Sequence, residues 1–447
     1  MLKPNPEHLF HVDGLALVLM LLVAFIGLCI AFFAARYLRG DRHRGRFFAL
    51  MTALCATVAA MVSADHLLLL WLAWGMANLL LVRLMVHGRE WRAAQAAGWL
   101  AGRNFLLGFV LIGPAFGLLY LASGEVSVQA ILQAPPDAAA LAPAMLLLLV
   151  GAATQSAIWP FHRWLTSSLN SPTPVSALMH AGLVNGGGFL LVRFAPLYFE
   201  LPGLLTLMLV AGLATALLGT LWKLMQHDIK RMLACSTMGQ MGFMLAQCGL
   251  GLFPAAVAHL CWHGLYKAYL FLASADVARE SRFDTDPPPG IGTLLLALAC
   301  GVLGSYAFAL AAGKPWLGQD TTLVLVAVAF IAASQFALTL LRSRPLARLP
   351  AAAAATAALG LAYGASIRGV EGALAPAVLA QPLPLGAVHL AAIGLLVGAW
   401  LALLLSRRSG RDRPWPQWAL ALYVRALNGS QPHPATVTAQ RNHYTPY

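Results

Sequence analysis

The run 255–278, AAVAHLCWHGLYKAYLFLASADVA, sets His259, His263 and Lys267 four residues apart. In a helix that spacing puts all three on one face. The neighbours are apolar enough for a membrane span. An ammonium at the centre of a bilayer costs roughly 2.5–3.5 kcal/mol even on the mildest scale. Ionisable side chains at such depth mark ion pathways and proton relays. Two readings therefore stand for this stripe: a proton relay, or hydrogen bonding between helices.

A second set of polar residues lies in 155–197, QSAIWPFHRWLTSSLNSPTPVSALMHAGLVNGGGFLLVRFAPL. It holds Gln155, His162, Arg163, His180, Asn185, a triple glycine at 186–188, and the prolines 160, 172 and 174. Irregular backbone inside a bilayer survives only where protein buries it or a wet cavity meets it. This stretch is expected to be the polar centre of a helix bundle. The glycines imply close helix packing or a local helix break. Downstream, Lys223, Asp228, Lys230 and Arg231 fall in an expected connection between spans. It is either a basic loop with a local ion pair or a structured connector that positions helices around the centre.

The elements that hold these residues are membrane spans. The chain has 447 residues, 60% hydrophobic and 10% charged, with mean hydropathy +0.74. That composition excludes a soluble enzyme. A spanning helix needs roughly 20 apolar residues. Such segments fall near 13–35, 47–64, 66–87, 98–122, 142–160, 173–196, 202–222, 238–252, 253–275, 291–312, 321–341, 350–367 and 385–405. The expected fold is an all-α polytopic membrane protein of about thirteen spans with a broken central region. Residues 1–405 form a single transmembrane domain with its motif-bearing core at about 150–275, and 406–447 form a basic tail at the membrane surface or on a partner. Residues 88–97 read as a short surface helix and 123–141 as a plain connection. The last four spans, rich in Ala, Leu and Gly, read as packing helices.

The net charge of +13 belongs to loops and calls for no nucleic acid. Of the 29 Lys and Arg, 23 fall on one side of this layout. Lys and Arg mark cytoplasmic loops, which puts the N-terminus outside and the C-terminus in the cytoplasm. The first apolar run follows a polar lead with Asp13 and reads as a retained helix. The six cysteines are scattered and carry no CxxC pair, so they read as core residues. All sixteen Asp and Glu fall in loops, tails or helix ends of this layout. No phosphate loop, dinucleotide fingerprint, HExxH or nucleophile elbow occurs. No catalytic or metal-binding residue is assigned.

Four runs carry a resemblance: WPFHRWL at 159–165, SPTPVSALMHAG at 171–182, HDIKRMLACSTMGQMGFM at 227–244 and HLCWHGLYKAYLF at 259–271. In this order they resemble the antiporter-like membrane subunits of respiratory complex I and Mrp-type antiporters. The resemblance implies that His180, His259, His263 and Lys267 lie on the family's proton path and that Asp228 and Lys230 belong to its DIKR connector. Asn185 is expected to line the same proton or ion cavity, with Gln155, His162 and Lys223 as supporting polar residues beside Asp228 and Lys230. Three departures stand out. Pumping members carry Glu after a Trp where Trp71 is followed by Leu72, Lys where Gln155 stands, and Glu where Asn170 stands. They imply that one Glu–Lys pair of the usual pump is absent. The chain is also shorter than typical pump subunits and lacks their C-terminal Lys-bearing broken helix.

The run HAGLVNGGGFLLVRFAPL at 180–197 resembles the DabB subgroup, membrane subunits of inorganic-carbon systems. That implies an ion-conducting subunit in a bacterial inner membrane. Its partner would be a DabA-like, zinc-dependent subunit related to carbonic anhydrases, which hydrates CO2 to bicarbonate. Zinc is then expected in the partner, with no cofactor in this chain. The alternatives are a proton-translocating subunit of a complex I-like NADH–quinone oxidoreductase or membrane hydrogenase, and a structural anchor without transport.

Overall fold

The computed structural model describes residues 9–274, 290–342, 344–375, 379–406 and 416–437. Among them the chain is helical with no strands, only four isolated bridges. Eighteen α-helices follow in order. They are α1 Gly14–Tyr37, α2 Arg44–Ser63, α3 Leu67–Met85, α4 Arg92–Ser123, α5 Val128–Gln133 and α6 Ala138–Gln155. Next come α7 Arg163–Thr166, α8 Thr173–Ala181, α9 Gly186–Arg193, α10 Ala195–Phe199, α11 Pro202–Leu224 and α12 Ile229–Gly249. The last are α13 Phe253–Ala273, α14 Ile291–Ala312, α15 Thr322–Leu341, α16 Pro345–Ala373, α17 Ala387–Ser406 and α18 Gln417–Gly429.

Eleven stretches among the described residues are long and apolar enough to cross a membrane. The two remaining expected spans, α12 and α13, have 21 residues each and fall outside that count. Their Lys, Arg, His and Gln residues dilute the apolar character. The Thr173–Arg193 stretch is almost wholly buried, whereas each of the other ten stretches buries half of its residues or fewer; α12 and α13 also bury most of theirs. The broken segment is thus the interior, as the prolines and polar residues require.

Three expectations are corrected. Residues 88–97 are not a separate surface helix: α4 runs unbroken from Arg92, since the Ala-rich run 93–97 favours helix and Gly98 does not stop it. At 32 residues α4 is about 48 Å long, well beyond the roughly 30 Å of hydrocarbon. The expected start of the eighth span at 238 moves to Ile229. Asp228 caps that helix, its Oδ1 accepting from Arg231 N at 2.8 Å, so the DIKR run is its first turn. The connection 123–141 is also structured. Asp65 accepts from Ser127 Oγ (2.7 Å) and Gln129 N (2.8 Å) and holds the entry to α5.

The described residues form two compact units. The first holds the described parts of Met1–Gly249, His259–Glu280 and Ala421–Tyr447; the second holds those of Leu250–Ala258 and Ser281–Leu420. In the second, α14 and α16 meet backbone to backbone, as their Ala and Gly content implies: a Cβ on Gly360 would lie 2.2 Å from Gly304 O. Lys314 pairs with Glu371 at 2.9 Å at one end of that pair. In the first, α11 and α12 share a glycine seam. A Cβ on Gly242 would lie 2.5 Å from Ala216 N and 2.7 Å from Gly212 O. Backbone cannot yield as a side-chain tip does, so Gly242→Leu is expected to destabilise by about 3 kcal/mol. Thermal unfolding of the detergent-purified protein checks this; an unchanged midpoint would refute the seam.

The tail is expected on the membrane or on a partner; residues 430–436 of it bond to their own chain, while no residue of α18 is buried. Asn170 Nδ2 donates to Thr436 O (2.7 Å), His433 N to Ser167 Oγ (2.9 Å), and Gln226 Nε2 to Ser430 Oγ (2.9 Å). The expected loop 281–290 lies, except for Gly290, outside the described residues, as do 407–415 and 438–447 of the tail.

Candidate functional site

α12 is the spine of the site. Its residues 230, 233, 237 and 240 recur at helical spacing, so they share one face. Lys230 Nζ donates to Ser171 O (3.3 Å), fastening the first turn of α12 to the start of the broken segment. One turn on, Leu233 O accepts from Lys267 Nζ at 3.1 Å. A further turn on, Thr237 Oγ1 meets His180 Nδ1 at 3.0 Å. Next, His259 lies against the Gln240 backbone, its ring edge-on to Phe243 at 5.2 Å. Four successive turns thus hold the SPTP run, the lysine and two of the histidines. The structured-connector reading of Asp228 and Lys230 is the one that matches this geometry.

α13 carries His259, His263 and Lys267 along that spine. Lys267 is 1% exposed, and both histidines are buried. His263 stands at the midpoint of α13, with Lys267 one turn further along. The rings of His259 and His263 lie nearly parallel, 6.1 Å apart. His180 stacks on Phe271 of the same helix at 4.3 Å. α13 approaches α8 closely: a Cβ on Gly264 would lie 2.8 Å from Ala181 O and 3.6 Å from Asn185 Nδ2.

The broken segment supplies the other wall. α8 ends at Ala181, a single 3₁₀ turn covers Leu183–Asn185, and α9 restarts at Gly186. Its carbonyls are met by side chains from α6 and the turn after it: Gln155 Nε2 donates to Leu183 O (3.1 Å) and Ser156 Oγ to Val184 O (2.8 Å). Asn185 Nδ2 donates back to Ala181 O at 2.9 Å. Gly187 permits this, because a Cβ there would sit 2.3 Å from Ala152 O. The triple glycine therefore serves close packing, and the helix break precedes it.

Gln155, Asn185, Asn78 and Trp74 line a small, mostly apolar cavity between α1, α2, α3 and the break. Its lining stops short of His259, His263 and Lys267. Several buried polar atoms here have no partner within the protein: Asn185 Oδ1, Gln155 Oε1, Asn78 Oδ1, and Nε2 of His259 and His263. A buried polar atom left without a hydrogen bond costs about 1–3 kcal/mol, so such atoms have the chemistry to accept a bond from water or to meet an ion.

The proposed residues separate into three places. His180, His259, His263, Lys267, Asp228 and Lys230 gather along α12. Gln155 and Asn185 face the cavity beside them. His162 packs on Trp222 with ring centroids 4.8 Å apart, and Lys223 ends α11 within range of the Lys267 charge. Of the three departures, Leu72 is half exposed on α3 and Asn170 holds the tail. Thr237 and the Leu233 carbonyl were not legible as site groups. Nor was Asp13, the N-cap of α1, which pairs with the buried Arg193 of α9 while Arg193 Nη2 also donates to Val62 O (2.8 Å). Two unlike charges far apart in sequence, one in a span and one just outside, were the available signal.

The profile of the family described as NADH:quinone oxidoreductase/Mrp antiporter, TM, matches residues 64–336. The chain belongs to this family. A second profile, for the N-terminus of complex I chain 5, matches residues 5–48 of this antiporter-family chain. Among its relatives is the probable inorganic carbon transporter subunit DabB1 of Halothiobacillus neapolitanus, 39% identical over 61% of this chain and 50% of that protein. The probable DabB of Bacillus subtilis is 38% identical over 62% of this chain and 55% of that protein. NADH-quinone oxidoreductase subunit L of Escherichia coli is 36% identical over 59% of this chain and 44% of that protein. The chain thus spans about half the length of the curated relatives it matches. The fold is shared with a chain of the Mrp complex from Dietzia sp. DQ12-45-1b, with TM-score 0.59, 24% identity, and coverage of 93% of this chain and 52% of that one. An all-α, multi-pass membrane protein of the antiporter-like family is the outcome.

Proposed function

We propose that this chain is the ion-conducting membrane subunit of a DabB-like inorganic carbon transporter. Protons or sodium ions pass along His180, Asn185, His259, His263 and Lys267. The change of charge at Lys267 is passed through Leu233 and the α12 spine to Lys230 and the SPTP run, and from there to a partner. The observation that supports conduction is the 1%-exposed Lys267 amine in line with two histidines whose Nε2 atoms have no protein partner. A fully packed structural stripe would pair those atoms. The carbon reading is supported by three DabB-named relatives that are 38–39% identical, against 34–36% for the subunit L relatives, with a fourth DabB-named relative at 34% over a longer 71% of this chain.

The partner in this reading is a DabA-like subunit that holds zinc in its own carbonic-anhydrase-type site. The membrane is the bacterial inner membrane, with the arginine-rich face in the cytoplasm. A second reading, a proton-translocating subunit beside redox subunits, is favoured by the similarity to subunit L. Affinity purification of the chain from its own cells, with metal analysis, separates the two. A zinc-bearing soluble partner is expected. Iron–sulfur or quinone-binding subunits in its place would overturn the carbon reading, and purification without any partner would leave an anchor.

A further inference from the structure

A lateral groove between α3 and α4 is lined by Leu72, Met76, Leu79, Phe105, Leu106 and Phe109. It opens at one end into a basin that contains Arg46, Arg83, Arg89 and Arg103, with Gln95 and Trp99. The two share Val82, Gly102 and Leu106, so they are one continuous trough. Among the described residues none of the four arginines is ion-paired with a carboxylate. Arg103 lies over the Trp99 ring, 4.5 Å from its centroid.

We propose that this trough binds one anionic phospholipid, its phosphate among Arg46, Arg83, Arg89 and Arg103 and an acyl chain along α3 and α4. The polarity matches the membrane. Roughly 20 residues of α4, counted back from Ser123, fill the hydrocarbon and bring the chain to about residue 104. Arg103 then lies at headgroup level, as does Arg83 in the last turn of α3. The apolar part of the trough runs from there toward the membrane interior. Guanidinium groups bind phosphate in a fork, and four without carboxylate partners favour a dianionic or anionic headgroup over choline. Gly102 keeps the junction open: the nearest atom to a Cβ built there is Val82 Cγ2 at 4.0 Å.

The test is native mass spectrometry of the full chain in detergent, delipidated and titrated with phosphatidylglycerol or phosphatidylcholine. One phosphatidylglycerol adduct is expected. Arg83→Gln with Arg103→Gln should weaken it about 30-fold, from roughly 1 kcal/mol per arginine. Arg36→Gln with Arg39→Gln, outside the trough, should leave it unchanged. Gly102→Leu, which keeps every charge, should also lose the adduct, and excess inorganic phosphate should not displace it. Equal adducts with phosphatidylcholine, equal loss in the control pair, or displacement by phosphate would overturn the site. So would a co-purifying polypeptide that cross-links into the trough.

Discussion

Lys267→Met is expected to lower ion conduction roughly 100-fold in vesicles reconstituted with the native complex, with normal protein levels. The volume of the side chain is kept while the amine is removed. A charge crossing that level must then do so without a titratable group, at a cost of roughly 2.5–3.5 kcal/mol, and each 1.36 kcal/mol is a factor of ten. The 1% exposure of Lys267 means that no nearby surface can replace it. In cells that depend on the system for growth in air, the same variant and Lys267→Ala should fail to grow. Conduction within twofold of the parent would reduce the α13 stripe to helix–helix hydrogen bonding. The matching change at Thr237, Thr237→Val, removes the hydroxyl that meets His180 and keeps the packing, so a smaller loss is expected there.

Asp13→Asn is expected to cost about 3 kcal/mol of stability at neutral pH. Arg193 is 6% exposed, and removing one partner of a buried pair leaves an uncompensated charge, which costs about 3–5 kcal/mol. The lower end applies because the Asp13 carboxylate is 29% exposed. Asparagine still caps α1, so the loss measures the pair and not the Asp13–Ala16 cap. Burial pushes the Asp13 carboxyl up, but the hydrogen bond and charge of Arg193, with the Ala16 N–H, more than reverse this and hold it below its ordinary 3.8. A depressed carboxylate contributes stability that is complete above its unfolded value and disappears as pH falls through the folded one. The parent should therefore approach the variant only in acid, below about pH 4. Thermal unfolding in detergent at pH 7 and in acid checks both points. Equal midpoints at pH 7 would show that the pair adds nothing.

The parts legible in the sequence were those set by covalent spacing. His259, His263 and Lys267 share a face because a helix repeats every 3.6 residues, whatever surrounds it. The SPTP run and the glycines announced a broken buried span because proline and backbone amides obey local rules. The start of α12 was misplaced because Lys230 and Arg231 look like a loop by polarity. Asp228, which caps them into a helix, was the better signal. Four-residue spacing could not reveal that Lys267 bonds to Leu233 O, because every residue carries a carbonyl and only packing selects one. Asn170 gave no hint that its partner would be Thr436, 266 positions away.

Chain order and composition alone determined a polytopic helical membrane protein with a polar, proline-broken centre and a histidine–lysine stripe. Apolar length and helical period are properties of neighbouring residues and need no fold to act. Tertiary structure alone decided that α12 gathers the stripe, that Asp13 answers Arg193, and that arginines from α2, α3, the α3–α4 connection and α4 share one trough. Those pairings join residues distant in the chain, and close packing of whole helices, not local preference, brings them within bonding distance.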